Sequence, residues 1–393
     1  MTLALARAFY RQGHKVYVAD TNKWHVTNFS NSVAKSFVIP SPRFHPEECI
    51  ASVLKIVKSE TIDLLIPTFE ETFLLAKAHD RFPKNCELFF ETFDKLHPLH
   101  NKYQFNQKLI SHGMPAAPSY LIKSQSDLTT LPFTTPYILK PSYSRSASDV
   151  HIVDPKKGAK NLTFKPHNPF IAQEFIEGKK FCSYSVCIGG KVTAHAVYPV
   201  KFAIKGSGCV SFSAIDHPEI RDWVMDFVKK EAFTGQIAFD FIQKEDGTLF
   251  AIECNPRATF GLHLLSDDHR FARAFFRGRE GYFEAMAATS RQITAGMLLY
   301  GWQKKHRGEK NLSFLRSLFS AKDTLFCKKD IKPFLMQPLI FAVYVIKSLK
   351  MRLSLPAFFT HDIDWNNEGK ETPQVRSPGA RIDTSIQTYG VYR

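Results

Sequence analysis

Apolar positions near the start of the chain recur at helical spacing, with Leu3, Leu5, Ala8 and Phe9 on one stripe, and the pattern ends at Gly13. A five-residue run over 15–19, Lys-Val-Tyr-Val-Ala, then reads as a short buried strand. Helical periodicity returns over 46–59, followed by a strand over 62–66 and a helix over 70–78. Strand alternating with helix predicts an α/β domain with a parallel sheet. Such a domain opens on a strand and a tight glycine turn, whereas these residues open inside a helix, so the expected first strand is missing, either absent or lost to a start codon set too late.

Past Asn101 a helix over 102–110 stops at His112-Gly113, with Pro115 just beyond. Short strands then dominate, over 137–140, 151–153, 170–172, 181–188 and 191–198. Gly189-Gly190 marks a hairpin between the last two. A helix over 219–230 precedes a second hairpin. This stretch reads as α+β. From about Gly301 the chain turns basic and helical, then polar and aperiodic beyond Trp365. Residues 334–346 are apolar but interrupted by Gln337 and Pro338 and too short to span a bilayer, so they predict a packed helix, with peripheral membrane contact the lesser alternative, and no integral membrane segment.

The hairpin over 237–257 carries the chemistry. Asp246-Gly247 is a preferred two-residue type I′ turn, which sets Glu245 against Thr248 and, counting back, Asp240 against Glu253. The period of two puts Ile237, Phe239, Phe241, Phe250, Ile252 and Cys254 on one apolar face. The other face presents Asp240, Glu253 and Asn255. Carboxylates facing each other across a ladder lie about 5 Å apart at Cβ and repel. A hard divalent cation with oxygen ligands, its shell completed by phosphate, offsets that cost. Arg257 follows, suited to bidentate contact with a phosphate.

Composition trims the alternatives. Of 393 residues, 44% are hydrophobic and 23% charged, which is ordinary for a folded protein and excludes extensive disorder. The formal charge of +15 at pH 7 favours anionic ligands. It is spread along the chain without zinc-finger spacing or an RNP-type motif, so nucleic acid is not an expected partner. Seven cysteines without a CxxC pair predict reduced thiols and a cytoplasmic location, and the N-terminus lacks the apolar core and cleavage site of a signal peptide.

The closing hairpin resembles that of the ATP-grasp superfamily. Glu253-Cys254-Asn255-Pro256-Arg257 matches the family's E-x-N-P-R signature, with Asp240 at the preceding metal position. Upstream, Asn101-Lys102 looks like the lysine that opens the domain, and Tyr137-Ile138-Leu139-Lys140-Pro141 like the strand lysine over the phosphates. Gln173-Glu174-Phe175-Ile176-Glu177-Gly178 looks like the linker whose main chain reads adenine. Residues 15–78 resemble the Rossmann-like domain that precedes the ATP-grasp fold in carbamoyl-phosphate synthase large-subunit-like proteins.

This resemblance implies three parts: an N-terminally truncated Rossmann-like domain over 1–100, an ATP-grasp domain of two α+β subdomains over 101–290, and a basic helical extension with a polar tail over 291–393. It implies ATP with Mg2+ (or Mn2+). Lys102, Lys140, Ser142, Arg145, Glu174, Phe175, Ile176 and Lys180 would lie at the nucleotide, Asp240, Glu253 and Asn255 at the metal, and Arg257 at the reacting phosphate. The implied reaction is a ligase reaction, in which a carboxylate is activated as an acyl phosphate and attacked by an amine or similar nucleophile. The partners are therefore small carboxylates and amines, and a homodimer is left open.

Two departures qualify the match. The loop after Lys140 (Pro141-Ser142-Tyr143-Ser144-Arg145-Ser146-Ala147-Ser148-Asp149) has no glycine where the family's is glycine-rich, and Lys180 replaces an acid that holds ribose. They support an alternative, a nucleotide-binding regulatory protein with weakened or lost turnover. A bicarbonate-using carboxylase is a further option that no biotin-carrier motif or amidotransferase domain supports. For the second substrate the sequence offers Glu70 (or Glu71) at a strand end of the first domain, His195 paired with Tyr184 on the Gly189-Gly190 hairpin, Tyr198, Lys201 and Lys205 ahead of a Gly206-Ser207-Gly208 lid, and His263.

Overall fold

A computed structural model describes residues 1–144, 150–159, 162–203, 209–278, 281–300 and 318–365. Arg145, Lys205 and the expected lid at 206–208 lie outside the described residues.

The first hundred residues form α1 (Thr2–Arg11), β1 (Tyr17–Asp20), β2 (Lys35–Val38), α2 (Pro46–Ser59), β3 (Leu64–Leu65), α3 (Glu71–Lys77), β4 (Glu87–Leu88) and α4 (Phe93–His100). Proline in the first turn and Glu47 and Glu48 beside it start α2 where the sequence indicates. The strands pair in parallel, β1 with β2 and β3 with β4, as two separate two-stranded ribbons rather than one continuous sheet.

Next come α5 (Lys102–Ser111), β5 (Ser119–Ile122), β6 (Tyr137–Pro141), β7 (His151–Val153) and β8 (Phe170–Glu174). The four strands make an antiparallel sheet in the order β5-β8-β6-β7. A larger sheet follows, from β9 (Lys179–Ile188), β10 (Lys191–Pro199), β11 (Phe202–Ala203), β12 (Cys209–Ser213), α6 (Pro218–Lys230), β13 (Gly235–Gln243), β14 (Leu249–Asn255) and β15 (Phe283–Glu284). Its order is β14-β13-β9-β10-β15, while β11 and β12 join β16 (Ser290–Gln292) and β17 (Lys322–Asp323) in a separate sheet. One face of the large sheet is the main core. Ile237, Phe239 and Phe241 pack under α6, where Trp223 stacks on Phe227 at 5.4 Å and meets Phe239 edge-on at 5.1 Å. On the opposite face Tyr184, Ala194 and Tyr198 share a core with Leu5, Ala8 and Phe9 of α1.

The extension is more than an appended helix. After α7 (Thr294–Tyr300), β17 adds to β16, and then α8 (Lys332–Leu335), α9 (Gln337–Lys350) and α10 (Leu355–Phe358) return to the first hundred residues. Buried Asp330 accepts from Arg7 Nε at 2.8 Å, Ser30 Oγ at 2.6 Å and the Asn31 amide at 2.9 Å. Asp362 accepts from Thr21 Oγ1 at 2.5 Å. The predicted packed helix over 334–346 is instead two helices broken at Met336, and only Ile340 and Ser348 of α9 are buried. Among the described residues no helix is long and apolar enough to cross a membrane.

Gly178, where the linker meets β13, has no room for a side chain. A Cβ there would lie 2.2 Å from the Gln243 carbonyl oxygen. Gly178→Ala is expected to cost about 1–3 kcal/mol and to push the linker off the sheet. The check is a lowered melting temperature together with a weaker ATP Kd.

Candidate functional site: the cleft between the two sheets

Asp240 does face Glu253. The route differs from the predicted one. The loop holds three residues, closed by the Lys244 amide on the Thr248 carbonyl at 2.9 Å, with Gly247 at φ +88. This shifts the register by one, and a bulge at Ile252 shifts it back before Glu253. The apolar face changes accordingly. Leu249 and Ala251 join Phe239 and Phe241 in the core, while Phe250 and Ile252 turn to the carboxylate face and pack with Ala117, Ile176 and Ile242.

Three cations, Lys102, Lys140 and Arg257, converge on the two carboxylates, and a fourth, Lys180, lies further along the same sheet face. Asn101 caps α5 by accepting from the Tyr103 and Gln104 amides, which sets Lys102 in the first turn, aimed into the cleft. Lys102 is buried, its Nζ 2.9 Å from the Ser144 carbonyl and 3.7 Å from Glu253 Oε1. Buried Lys140 donates to Gln173 Oε1 at 2.9 Å and the Ile252 carbonyl at 3.3 Å, tying β6 to β14. Burial, with Lys102 nearby, lowers its pKa to about 8, against the pull of Glu253 and Asp240. Arg257 Nη2 donates to Asn255 Oδ1 at 3.0 Å and lies 3.4 Å from Glu70 Oε1, its guanidinium 4.5 Å from the Phe69 ring. Lys180 sits on the same face two positions beyond Cys182, and desolvation lowers its pKa.

Desolvation and repulsion from Glu253 raise Asp240 to about 6, while the neighbouring Cys182 thiol, Lys102 and Arg257 pull the other way. Cys182 pairs with Asp240 on the adjoining strand, a neighbour that the register of β9 reveals but motif reading passes over.

The donor set suits a hard cation: two facing carboxylates and an amide oxygen, with no thiolate or imidazole needed. Asn255 Oδ1 is engaged by Arg257, so a metal there would share it or displace the guanidinium. Two buried polar atoms, Ser142 Oγ and Arg257 Nε, lack partners among the described residues, which is what sites for a polar ligand leave behind. In the linker, Glu174 and Phe175 are half-buried and Ile176 is buried; the Glu174 amide is already donated to the Pro118 carbonyl at 2.9 Å.

The second-substrate candidates divide. Glu70 is brought to the cleft, fully buried between Arg257 and the Trp365 amide, which donates to its Oε2 at 2.8 Å. Glu71 instead accepts from the Thr68 and Phe69 amides at the start of α3. His195 is not in the cleft. A bulge at Thr193 moves its partner from Tyr184 to Ser185, which places it on the face under α6. There it bonds Ser185 Oγ at 2.8 Å, and desolvation with Arg221 nearby lowers its pKa to about 3. His263 is buried, held neutral by desolvation and by the chain's amino group, Arg291 and Arg7. Lys201 is exposed past β10, and no described contact ties it to the cleft.

Residues 99–261 match the family model of the ATP-grasp domain. The fold is similar to N5-carboxyaminoimidazole synthetase from Staphylococcus aureus (TM-score 0.57, 13% identity, 73% of this chain and 77% of that one). It is similar to an L-amino acid ligase from Bacillus licheniformis (TM-score 0.56, 16% identity, 73% and 76%). It is also similar to biotin carboxylase from Campylobacter jejuni (TM-score 0.56, 12% identity, 72% and 69%). No curated protein matches the sequence significantly. Residues 99–261 of this chain are thus an ATP-grasp domain by sequence, and the similar structures share its fold.

Proposed function

We propose that this protein is an ATP-dependent ligase that activates a small carboxylate as an acyl phosphate for attack by an amine or similar nucleophile. The observation that carries the proposal is the facing Asp240–Glu253 pair with buried Lys102 and Lys140 on the same cleft. Two buried ammonium groups beside two carboxylates are costly on their own, and a metal–polyphosphate ligand neutralises both kinds of charge together. Similar folds were crystallised with ADP, one of them as its magnesium salt with bicarbonate.

In this reading Asp240 and Glu253 hold Mg2+ (or Mn2+), which when bound screens the charge on the transferring phosphoryl group. Lys140 and Lys102 bind phosphate oxygens, and Ser142 supplies a hydroxyl beside them. The apolar patch of Ile176, Ile242, Phe250 and Ile252 takes the adenine ring, whose edge meets the linker main chain. Lys180 stands near the sugar. Arg257, once released from Glu70, stabilises charge at the reacting phosphate. Glu70, still held by the Trp365 amide, then offers its carboxylate to a cationic amine. ATP chemistry with free thiols at all seven cysteines fits the cytoplasm.

The test is ADP release with Mg2+ across a panel of carboxylate and amine pairs. Release that needs both members of one pair supports the ligase. Tight ATP binding with no ADP from any pair supports the regulatory alternative, which the engagement of Arg257 by Glu70 favours.

A further inference from the structure

Residues 331–361 contain no aspartate or glutamate, and they carry Lys332, Lys347, Lys350 and Arg352. The acid just before them, Asp330, is buried on Arg7, Ser30 and Asn31. One side of α9 is fastened to the body of the protein: Ile340 is buried, Tyr344 meets Phe358 edge-on, and Lys347 Nζ donates to Asn22 Oδ1 at 2.7 Å. The other side is an apolar seam facing solvent. On α9, Leu339, Ile346 and Leu349 are 48%, 54% and 70% exposed, and their spacing, completed by Ala342, follows the 3–4 repeat of one helix face; Leu335, which ends α8, is 64% exposed. Lys332, Lys350 and Arg352 are exposed at its two ends.

We propose that the outer face of α8 and α9 docks on an anionic lipid bilayer, with the helix lying in the plane of the interface. The apolar seam and the cationic ends are the two parts such a contact needs: buried hydrocarbon area and attraction to acidic headgroups. At fourteen residues α9 is too short to cross and long enough to lie on the surface. A second copy of the chain fits less well. A two-fold pairing of this face sets Lys332, Lys350 and Arg352 of one copy against those of the other, with no carboxylate in the segment to pair with them.

The full chain is to be floated with vesicles of phosphatidylcholine alone and of phosphatidylcholine containing phosphatidylglycerol. Binding is expected to the acidic vesicles and to be about tenfold or more weaker to the neutral ones, since each cation near an acidic surface contributes about fivefold. Leu339→Glu with Ile346→Glu, and separately Lys350→Glu with Arg352→Glu, are each expected to lower binding about tenfold or more. All four positions lie outside the cleft, so ATP affinity and melting temperature are expected to hold, which keeps a misfolded variant from passing as a positive result. No flotation with acidic vesicles, or unchanged flotation of either variant, overturns the proposal. So does a dimer in sedimentation velocity that Leu339→Glu dissociates, which would assign this face to self-association.

Discussion

Asp240→Asn is expected to make the protein more heat-stable in EDTA at neutral pH and to remove nearly all of the Mg2+-dependent part of ATP binding. Both effects have one origin. In the fold Asp240 is buried opposite Glu253, and its pKa is raised to about 6 from an ordinary 3.8. A carboxylate with a raised folded pKa binds its proton more tightly in the folded chain than in the unfolded one. Stability is therefore lost as pH rises from about 4 through about 6, and is at its lowest with both groups ionised. Asparagine keeps the shape and removes one charge. The expected gain is about 1–3 kcal/mol at neutral pH, on the order of a few degrees in melting temperature. The loss in ATP affinity with Mg2+ is expected to be about hundredfold or more, the several kcal/mol that a divalent ion contributes at a phosphate. Glu253→Gln is expected to lower the Mg2+-dependent part of ATP binding as well. Calorimetric titration with and without Mg2+, beside thermal unfolding in EDTA from pH about 4 to about 8, reads both. A variant that is less stable in EDTA, or that keeps its Mg2+-dependent affinity, contradicts a repulsive metal-binding pair.

That pair shows how far the sequence reaches. The facing of Asp240 and Glu253 was legible because a turn signal and a period of two define a register. Two departures of one residue each, the third loop residue and the bulge at Ile252, cancel at that position. They do not cancel for Phe250 and Ile252, which therefore move from the predicted core to the cleft face, where they build the apolar patch beside Ile176. A bulge leaves no mark in an apolar alternation, and the same blindness at Thr193 moved His195 to the wrong face. The Thr193 hydroxyl bonds the carbonyls of Val186 and Ala274, a contact across 81 residues that local pattern does not contain.

Long-range closure was hidden for the same reason. Glu70 was visible as an acid at a strand end, yet its partners arrive from far along the chain, Arg257 from the signature and Trp365 from what reads as the beginning of a polar tail. The Trp365 ring also lies over Lys77 and near Phe73 and Phe93, so the extension is packed beside the cleft. Helices were the readily legible part. The bounds of α2 follow from Pro46 and the acids after it, signals that lie within the element itself.

Lys140→Met is the second substitution with a large expected effect, and it separates ligand binding from folding. Burial and the nearby Lys102 hold this ammonium at a pKa of about 8, against 10.5 for an ordinary lysine. Between those values the unfolded chain carries a proton that the folded one has released, so stability rises with pH across that window. At neutral pH the folded protein bears the cost of a buried charge, about 3 kcal/mol from the shift alone. Methionine fills similar volume without charge. It also leaves Gln173 Oε1 and the Ile252 carbonyl without their donor, at about 1 kcal/mol each, so the net expected gain in stability is about 1 kcal/mol. ATP affinity moves the other way, falling about tenfold to hundredfold with the loss of a charge-assisted contact to phosphate. The pH profiles tell the two roles apart. Wild-type affinity is expected to weaken as pH rises through about 8, and binding there to take up a proton, because phosphate raises the lysine's pKa again. The methionine variant is expected to show neither effect, and to lack the rise in stability above pH about 8. Calorimetry in two buffers of different ionisation enthalpy measures the proton, and equal proton uptake by both proteins would remove Lys140 from the phosphate site.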